Sequence, residues 1–310
     1  MDAGISAGAS SFETGEERGT RVSNPHGEER GTRVSNHQAI DTWPGPAWLE
    51  QTPVNLIADH ISHRFGTLEV LDDVSFTVGA GEVVAIVGPS GCGKSTLLSI
   101  LGGLLRPSPG AAELRGAVPA KSLNPLTFVF QDFALLPWCS VEQNVEFPLQ
   151  HTSLDPAGRR AVVDDALRRT GLIDFRDAYP KQLSGGMRQR VGIARALAVR
   201  PAILLMDEPL SALDSQTREL LLEDFASLIA DGAIGVVYVT HNLEEAVRLA
   251  DRVVVLSRRP GRIRDVISIP LTRNQRADIH AREKLLAIQN ELWSLIRQVA
   301  IDAEREVQHA

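Results

Sequence analysis

A glycine-rich segment followed by a lysine and two hydroxyl residues is the part of this sequence best suited to bind phosphate. Residues 88–95 satisfy the pattern G-x-x-x-x-G-K-[ST], after a short apolar run and before a helical pattern. Its glycines let backbone N–H groups converge on phosphate oxygens, and the helix N-terminus adds partial positive charge. The lysine is expected to bridge the β- and γ-phosphates, and the first hydroxyl to bind Mg²⁺. The predicted phosphate-binding residues are Gly88, Pro89, Ser90, Gly91, Cys92, Gly93, Lys94, Ser95 and Thr96.

Two adjacent carboxylates, Asp207 and Glu208, end a second apolar run, residues 203–206. A buried strand of an α/β sheet presents its ligand chemistry at its carboxyl end, so we expect these acids near the bound phosphate. Asp207 is predicted to bind Mg²⁺, and Glu208 to orient and deprotonate an attacking water. Alone, the two acids could equally cap a turn. Together with the phosphate-binding loop they predict a nucleotide hydrolase.

A third motif narrows the class of hydrolase. Residues 183–187 (LSGGM) open a helical pattern and resemble the signature motif of ATP-binding cassette (ABC) ATPases. Met187 departs from the family consensus, which has glutamine at this position, but the serine and both glycines are present. Gln131 resembles the family's Q-loop glutamine, residues 211–214 (SALD) its D-loop, and His241 its switch histidine.

The resemblance covers residues 54–271, about 70% of the chain, and implies ATP as the bound nucleotide with Mg²⁺. Phe65 lies where the family has an aromatic residue that stacks on adenine. Ser184, Gly185, Gly186 and Asp214 belong, by the same resemblance, to motifs that contact nucleotide, the signature completing the site of a second copy of the chain. The predicted catalytic residues are Glu208, His241, Gln131 and Lys94, and the predicted metal site is Ser95, Gln131 and Asp207.

Around these motifs, apolar runs alternate with helical patterns, which is typical of an α/β fold. The runs are apolar almost throughout, as in strands buried on both faces of a mainly parallel sheet. Residues 54–60 and 71–78 alternate more and predict an antiparallel β edge. The resemblance implies a P-loop NTPase core with an inserted α-helical subdomain at about residues 132–185. Strands are predicted at 82–87, 127–130, 202–206, 235–240 and 252–256, and helices at 94–105, 157–170, 187–199, 217–230 and 243–249.

Composition and charge limit the function further. The chain has 310 residues with 32 Lys+Arg and 39 Asp+Glu, and its net charge of −7 disfavours nucleic acid as a partner. Two cysteines, Cys92 and Cys139, exclude a disulfide framework and indicate a reducing compartment. The longest apolar run is too short to span a bilayer, and the acidic N-terminus does not fit a secretory signal. We therefore expect a protein of the cytoplasm.

The two ends of the chain differ from the region between them. Residues 15–24 (GEERGTRVSN) recur unchanged as residues 27–36, and residues 1–52 are predicted to be a disordered tail, with a regulatory tail as the alternative. Residues 53–272 are the predicted ATPase domain. Residues 273–310 predict a helical extension whose apolar stripe covers the domain's own surface, in preference to a coiled coil. The stripe consists of Leu285, Ile288, Leu292, Leu295 and Val299, and a cluster before it, Arg258, Arg259, Arg262 and Arg264, is interpreted as a solvated strand end.

The sequence has one cassette, no membrane helices and a short interval between the glycine-rich loop and the signature motif. Among ABC proteins, these features agree best with a separate ATPase subunit of an importer. Residues 133–138 (FALLPW) and 256–262 (LSRRPGR) resemble the nitrate, sulfonate and taurine importer ATPases. Phe133 and Trp138 either contact the membrane subunit or belong to the subdomain core. The implied partners are integral-membrane permease subunits at the cytoplasmic face, a second copy of the chain and, through the permease, a solute-binding protein. The alternatives are a soluble ABC ATPase of regulation or repair, and an importer of pyrimidine-type vitamin precursors.

Overall fold

The computed structural model describes residues 53–229, 234–276 and 279–308. The predicted tail and its repeat lie outside these residues. The strands of the described residues are β1 (Asn55–Phe65), β2 (Leu68–Val78), β3 (Val83–Val87), β4 (Ala111–Arg115), β5 (Leu126–Val129), β6 (Ile203–Asp207), β7 (Gly235–Val239), β8 (Arg252–Leu256) and β9 (Ile263–Ser268). The helices are α1 (Lys94–Leu101), α2 (Val141–Glu146), α3 (Pro156–Arg169), α4 (Gly185–Ala198), α5 (Ser215–Ile229), α6 (Leu243–Leu249), α7 (Arg273–Arg276) and α8 (Arg282–Gln308).

The centre of the fold is a six-stranded sheet in the order β5-β6-β7-β3-β8-β9. The first five strands are parallel, and β9 is antiparallel to β8. Every residue of β3 and β7 is buried, because their side chains pack against apolar layers on both faces of the sheet. The predicted α/β class and the parallel strands are confirmed. Strand β9 was not predicted, since its largely exposed, charged sequence lacks the apolar run of the other strands.

A smaller antiparallel sheet has the order β2-β1-β4, in which β1 and β2 form the predicted β edge and β4 was not predicted. Strand β1 pairs with β2 on one side and with β4 on the other. Val74 and Val78 of β2 and Leu56 of β1 are fully or almost fully buried in a cluster that also contains Leu97 of α1. This sheet therefore packs on the helix that follows the phosphate-binding loop.

A helical layer lies between β5 and β6 in the sequence and has its own apolar cluster. Helix α2 was not predicted, because six residues are too few to display a helical period, and a capping box fixes its start. In that box Gln143 N donates to Ser140 Oγ at 3.3 Å, and Ser140 N donates to Gln143 Oε1 at 2.8 Å. The cluster extends through α4 as far as Val199, so α4 joins the helical layer to the sheet.

The C-terminal extension forms the predicted long helix, α8. Leu292 is fully buried in the main core, and Leu285, Ile288 and Ile296 pack against that core. The apolar stripe thus covers the domain's own surface, as predicted. In the described part of the chain, no helix has both the length and the apolar composition needed to cross a bilayer.

Helix α1 ends at Leu101, earlier than predicted, because Gly103 takes a left-handed conformation with a φ angle of +72°. Gly102, between them, packs directly on β5. A Cβ atom at Gly102 would lie 1.9 Å from Cε2 of Phe128. We expect Gly102→Ala to lower the free energy of unfolding by about 1–3 kcal/mol, since the ring must be displaced from a packed layer. Urea denaturation measures this change.

Gly192→Ala is the matched control for this prediction. Gly192 lies inside α4, and a Cβ there would meet its nearest neighbour, the carbonyl oxygen of Phe133, at an ordinary 3.6 Å. Alanine in a helix interior is favoured over glycine by roughly 0.5–1 kcal/mol, so this variant should be neutral or stabilised. Equal destabilisation of both variants would contradict the packing argument.

Candidate functional site

The predicted catalytic residues follow strands that end at one edge of the central sheet. Because β5, β6, β7 and β3 are parallel, their carboxyl ends lie side by side. Gln131 follows β5, Asp207 ends β6 with Glu208 next to it, His241 follows β7, and the glycine-rich loop follows β3. The sheet thus gathers residues that are far apart in the sequence.

The phosphate-binding loop has backbone conformations that need glycine. Gly91 and Gly93 have φ angles of +73° and +105°, in the left-handed region. A Cβ at Gly93 would also lie 2.8 Å from the side chain of Leu71, so the loop packs closely on β2. The Lys94 ammonium is buried across the loop and donates to the carbonyl oxygens of Gly88 at 3.0 Å and of Pro89 at 3.2 Å.

Cys92 fills the inside of the loop with an apolar thiol. The residue is fully buried, and burial raises the pKa of its thiol above the ordinary value, outweighing the opposing effect of the Lys94 charge. The thiol therefore stays protonated and acts as a small packing group. This placement agrees with the sequence interpretation of Cys92 as a filler.

Two of the predicted metal ligands are already adjacent. Ser95 Oγ donates to Asp207 Oδ1 at 3.1 Å, which joins the start of α1 to the end of β6. Burial raises the pKa of the Asp207 carboxyl, the neighbouring Glu208 raises it further, and the bond from Ser95 opposes the shift. A hydroxyl and a carboxylate are hard oxygen donors, and Mg²⁺ is commonly held by one or two such groups together with substrate phosphates. Gln131, the third predicted ligand, is exposed two residues beyond the end of β5.

Glu208 and His241 form a pair at the same edge. His241 Nδ1 lies 3.0 Å from Glu208 Oε2, and the His241 side chain is 62% exposed, against 22% for Glu208. Glu208 has a φ angle of +43°, which is unfavourable for a residue with a side chain. Its backbone N–H donates to the carbonyl of Val239 at 2.9 Å, and its own carbonyl accepts from Ser211 Oγ at 2.8 Å. The strained backbone is thus held from both sides, as is common at functional sites.

A buried hydrogen-bond network lies behind this pair. Glu245 of α6 is 3% exposed, and its Oε2 accepts from Tyr238 Oη at 3.0 Å and from Thr240 Oγ1 at 2.8 Å. Arg218 Nε lies 3.7 Å from Glu245 Oε1, and the Arg218 guanidinium also donates to the carbonyls of Leu210 and Leu213. The network therefore ties the strand end before His241 to the D-loop segment. Glu245 lies in no sequence motif, so this network could not be predicted from the sequence.

The signature residues and the D-loop aspartate form a second cluster. Ser184 Oγ accepts from the backbone N–H of Met187 at 3.2 Å and caps α4. A Cβ at Gly186 would lie 2.6 Å from Thr217 Cγ2, and one at Gly185 would lie 3.2 Å from Leu213. Asp214 Oδ1 accepts from Thr217 N at 3.0 Å, and this bond lowers the pKa of Asp214. These contacts join the signature to α5, whereas those of the glycine-rich loop run to β2 and β8.

The segment after Gln131 is attached to the signature helix. Arg195 donates to the carbonyls of Ala134 at 2.6 Å and Phe133 at 3.1 Å, and the Arg188 guanidinium lies 5.7 Å from the centre of the Phe133 ring. Phe133 packs against the main core, while Trp138 is 73% exposed. The sequence left open whether these aromatic residues contact the membrane subunit or belong to the subdomain core. Phe133 is partly buried against the main core rather than in the core of the helical layer, and Trp138 is a surface residue.

Phe65 ends β1 and is 51% exposed. Its ring meets His63 edge-on, with the ring centres 4.7 Å apart. A half-exposed aromatic ring is available for stacking on a flat base. Gly66, with a φ angle of +59°, makes the tight turn that presents this ring at the end of the hairpin.

The four arginines interpreted as a solvated strand end are exposed, and two of them, Arg259 and Arg262, also make specific contacts. Arg259 Nε and Nη2 donate to the carbonyl of Gly91 in the glycine-rich loop at 3.1 and 3.0 Å. Arg262 Nε donates to Asp72 Oδ2 of β2 at 2.7 Å. These contacts could not be predicted from the sequence, because they join residues more than 160 positions apart.

Comparison with known proteins places these motifs in a family. The family described as ABC transporter matches residues 71–211. The chain is 43% identical over 232 residues to an aliphatic sulfonates import ATP-binding protein of Xanthomonas axonopodis pv. citri, covering 72% of this chain and 92% of that protein. It is 38% identical over 236 residues to a bicarbonate transport ATP-binding protein of Synechocystis sp., covering 74% and 84%. It is 47% identical over 200 residues to a taurine import ATP-binding protein of Burkholderia pseudomallei, covering 64% and 77%.

A solved structure gives the same assignment. It is a dimeric ATP-binding cassette in a post-hydrolysis state, bound to ADP and Pi. Its TM-score with this chain is 0.59 at 32% sequence identity, and the match covers 70% of this chain and all of that one. The fold expected from the sequence is therefore confirmed independently of the motifs.

The buried network gives a prediction for pH. Burial raises the pKa of Glu245 above its ordinary value of 4.5, despite the bonds from Thr240 and Tyr238. Between 4.5 and the raised pKa, the folded protein holds a proton that the unfolded chain has released, so this group's contribution to stability falls as pH rises. Glu245→Gln lacks this titration.

We therefore expect the free energy of unfolding of the wild type, minus that of Glu245→Gln, to increase as the pH is lowered. Urea unfolding of both proteins at about pH 5 and about pH 7.5 measures it, and other acids cancel in the difference. The same difference at both pH values would mean that Glu245 does not titrate in this range.

Proposed function

Because the chain belongs to the ABC transporter family, as an ATP-binding ATPase, we propose that it is the energy-coupling subunit of an importer for a small anion. The observation that carries the proposal is the shared strand edge. There the Ser95–Asp207 bond, at 3.1 Å, and the His241–Glu208 contact, at 3.0 Å, lie beside the glycine-rich loop. We assign the ATPase to residues 53–272 and regard residues 273–310 as an extension packed on it.

We assign ATP binding to the loop and to Phe65. The loop N–H groups and the N-terminus of α1 face the phosphates, and Lys94 exchanges its two carbonyl partners for phosphate oxygens. Phe65 stacks on the adenine. Mg²⁺ would be held by Ser95 and Asp207, with Gln131 at its edge, and when bound it neutralises charge on the β- and γ-phosphate oxygens.

Hydrolysis needs a water held in line with the γ-phosphate. Glu208 accepts a hydrogen bond from this water and takes its proton as the oxygen attacks phosphorus and the bond to ADP breaks. His241 contacts the same carboxylate and holds it in orientation. The strained Glu208 backbone, fixed by Val239 and Ser211, keeps the base in place.

A second copy of the chain completes each site in this proposal. Ser184 stands exposed at the N-terminus of α4, where a helix dipole and a hydroxyl donor suit a γ-phosphate. Its cluster is built on α5 rather than on the loop of the same chain. The similar solved cassette is a dimer bound to ADP and Pi, which supports a pair of copies. We propose that the pair is head-to-tail, with two nucleotides between the copies.

The substrate class rests on the relatives. They are named for sulfonate, taurine and bicarbonate, which all carry an anionic group. Bicarbonate widens the set beyond the nitrate, sulfonate and taurine of the sequence analysis. We propose a small oxyanion or sulfonate as the solute, delivered by a solute-binding protein to a permease, with this chain at the cytoplasmic face of the membrane.

Glu208→Gln tests the assignment of the base. It keeps the size of the side chain but removes the proton acceptor, so we expect kcat to fall about 10²–10⁴-fold while ATP still binds. The variant should accumulate as an ATP-bound dimer, which sedimentation in the presence and absence of ATP measures. Glu244→Gln, an exposed acid on the neighbouring helix, is the control and should behave as the wild type. A Glu208→Gln protein with near-normal turnover would place the base elsewhere.

Trp138→Ala tests the proposed permease contact. Trp138 is 73% exposed beside the helical layer, and a large aromatic residue at an interface commonly contributes 2 kcal/mol or more. We expect at least about tenfold weaker binding to the membrane subunits, with unchanged ATPase activity of the isolated chain. Trp293→Ala on α8, where the residue is 61% exposed, is the matched control. Equal effects of the two variants on assembly would remove Trp138 from the interface.

A further inference from the structure

We propose that residues 257–262 support the phosphate-binding loop, and that Arg259 is a positioning residue for nucleotide binding. The proposal rests on the proposed function, since it concerns the same ATP site. Residues 257–262, here called the support turn, connect β8 to β9. None of the predicted site residues lies in this turn.

The chain from Leu256 into the support turn touches the loop at three successive points. A Cβ at Gly88 would lie 3.0 Å from the carbonyl oxygen of Leu256, directly before the turn. Arg259 donates two hydrogen bonds to the carbonyl of Gly91, at 3.1 and 3.0 Å. A Cβ at Gly261 would lie only 2.2 Å from the carbonyl oxygen of Cys92, so only glycine allows this approach.

The support turn is itself fixed to the antiparallel sheet. Gly261 N donates to the carbonyl of Val70 at 2.8 Å, and Asp72 N donates to the carbonyl of Gly261 at 3.1 Å. Arg262 forms an ion pair with Asp72. Because Gly93 packs on Val70 and the neighbouring Leu71, the turn and β2 together form one wall around the loop. Arg259 is thus presented from a fixed base.

The contact made by Arg259 has a direct chemical consequence. The Gly91 carbonyl and the Cys92 N–H belong to the same peptide group. A guanidinium that donates to the carbonyl polarises this peptide, and its N–H, which donates to the carbonyl of Pro89 at 3.3 Å, becomes the stronger donor. The bond from Arg259 therefore strengthens the internal hydrogen bond that closes the loop around the phosphate. It also holds Gly91 in its left-handed conformation and places a positive charge beside a loop that binds anions. Each effect favours phosphate binding and leaves the proton transfer at Glu208 untouched.

Arg258 offers a matched comparison. It is exposed like Arg259 and carries the same charge one residue earlier. Its backbone carbonyl accepts a hydrogen bond from Ser257 Oγ, which a change of the side chain leaves in place. Removing either side chain changes the net charge equally. Only the Arg259 variant loses a bond to the loop.

The test measures ADP and ATP affinity by calorimetry on the full chain carrying Arg259→Ala, Arg259→Lys or Arg258→Ala. We expect Arg259→Ala to weaken both nucleotides by about tenfold, since both present a β-phosphate to the loop, with kcat at saturating ATP largely kept. Arg258→Ala should change affinity by less than about twofold, because the charge of an exposed side chain that does not contact the loop is screened by salt. Arg259→Lys, which keeps the charge but cannot fork onto one carbonyl, should lie between the two.

Three results would overturn the proposal: unchanged affinity in Arg259→Ala, equal losses in the Arg258 and Arg259 variants, or a lower kcat with unchanged affinity. The melting temperature of each variant without nucleotide shows whether the variant is folded. If Arg259→Ala is unfolded, the nucleotide affinity of Arg259→Lys, compared with that of Arg258→Ala, tests the proposal instead. Failure of the proposed function is distinct, because it would appear as a lack of ATP-dependent anion transport with the permease, while the nucleotide affinities of the wild type and the variants could still be compared.

Discussion

The site depends on the parallel pairing of β6, β7 and β3. In this pairing Asp207 stands opposite Val239, and Val239 stands opposite Ile86, so the three strands end at the same height. The segments that leave these ends carry the acids, the histidine and the glycine-rich loop. A shift of register by one residue would turn every side chain to the other face of the sheet. The apolar layers on both faces make such a shift costly, and in this way core packing fixes the geometry of the chemistry.

Electrostatics adds a second level of order. Asp207 and Glu245 are both acids whose pKa values are raised by burial, and each is opposed by specific donors. Ser95 donates to Asp207, while Thr240 and Tyr238 donate to Glu245 with Arg218 nearby. The Asp207 carboxyl lies where a divalent cation would relieve its burial. The Glu245 carboxyl is enclosed by protein donors, and through them it joins the D-loop segment to the end of β7, before His241. A half-buried acid and a buried acid thus have different roles, set by what surrounds them.

Much of this arrangement could be predicted from the sequence, because its signals are local. The glycine-rich loop occupies nine consecutive residues, and the buried strands are continuous apolar runs. The contacts that the sequence did not predict are those that join distant positions. Arg259 reaches Gly91, and Arg218 reaches Glu245, and neither pair has a spacing or a residue type that marks it. Strand β9 and helix α2 were missed for a different reason: one is largely exposed, and the other is too short to show a period.

The central claim of this account is that one chain supplies only half of each ATP site. A mixed dimer tests it most directly, with Lys94→Ala in one copy and Ser184→Asp in the other, and with Glu208→Gln in both copies so that bound ATP is not hydrolysed. Aspartate keeps the cap on α4 but places a negative charge beside the γ-phosphate. Purified through two different tags, this dimer has both binding lesions in one composite site and neither in the other. We predict that it retains one ATP per dimer after gel filtration while each homodimer retains none. No retained ATP in the mixed dimer would contradict the claim and place a complete site within a single chain.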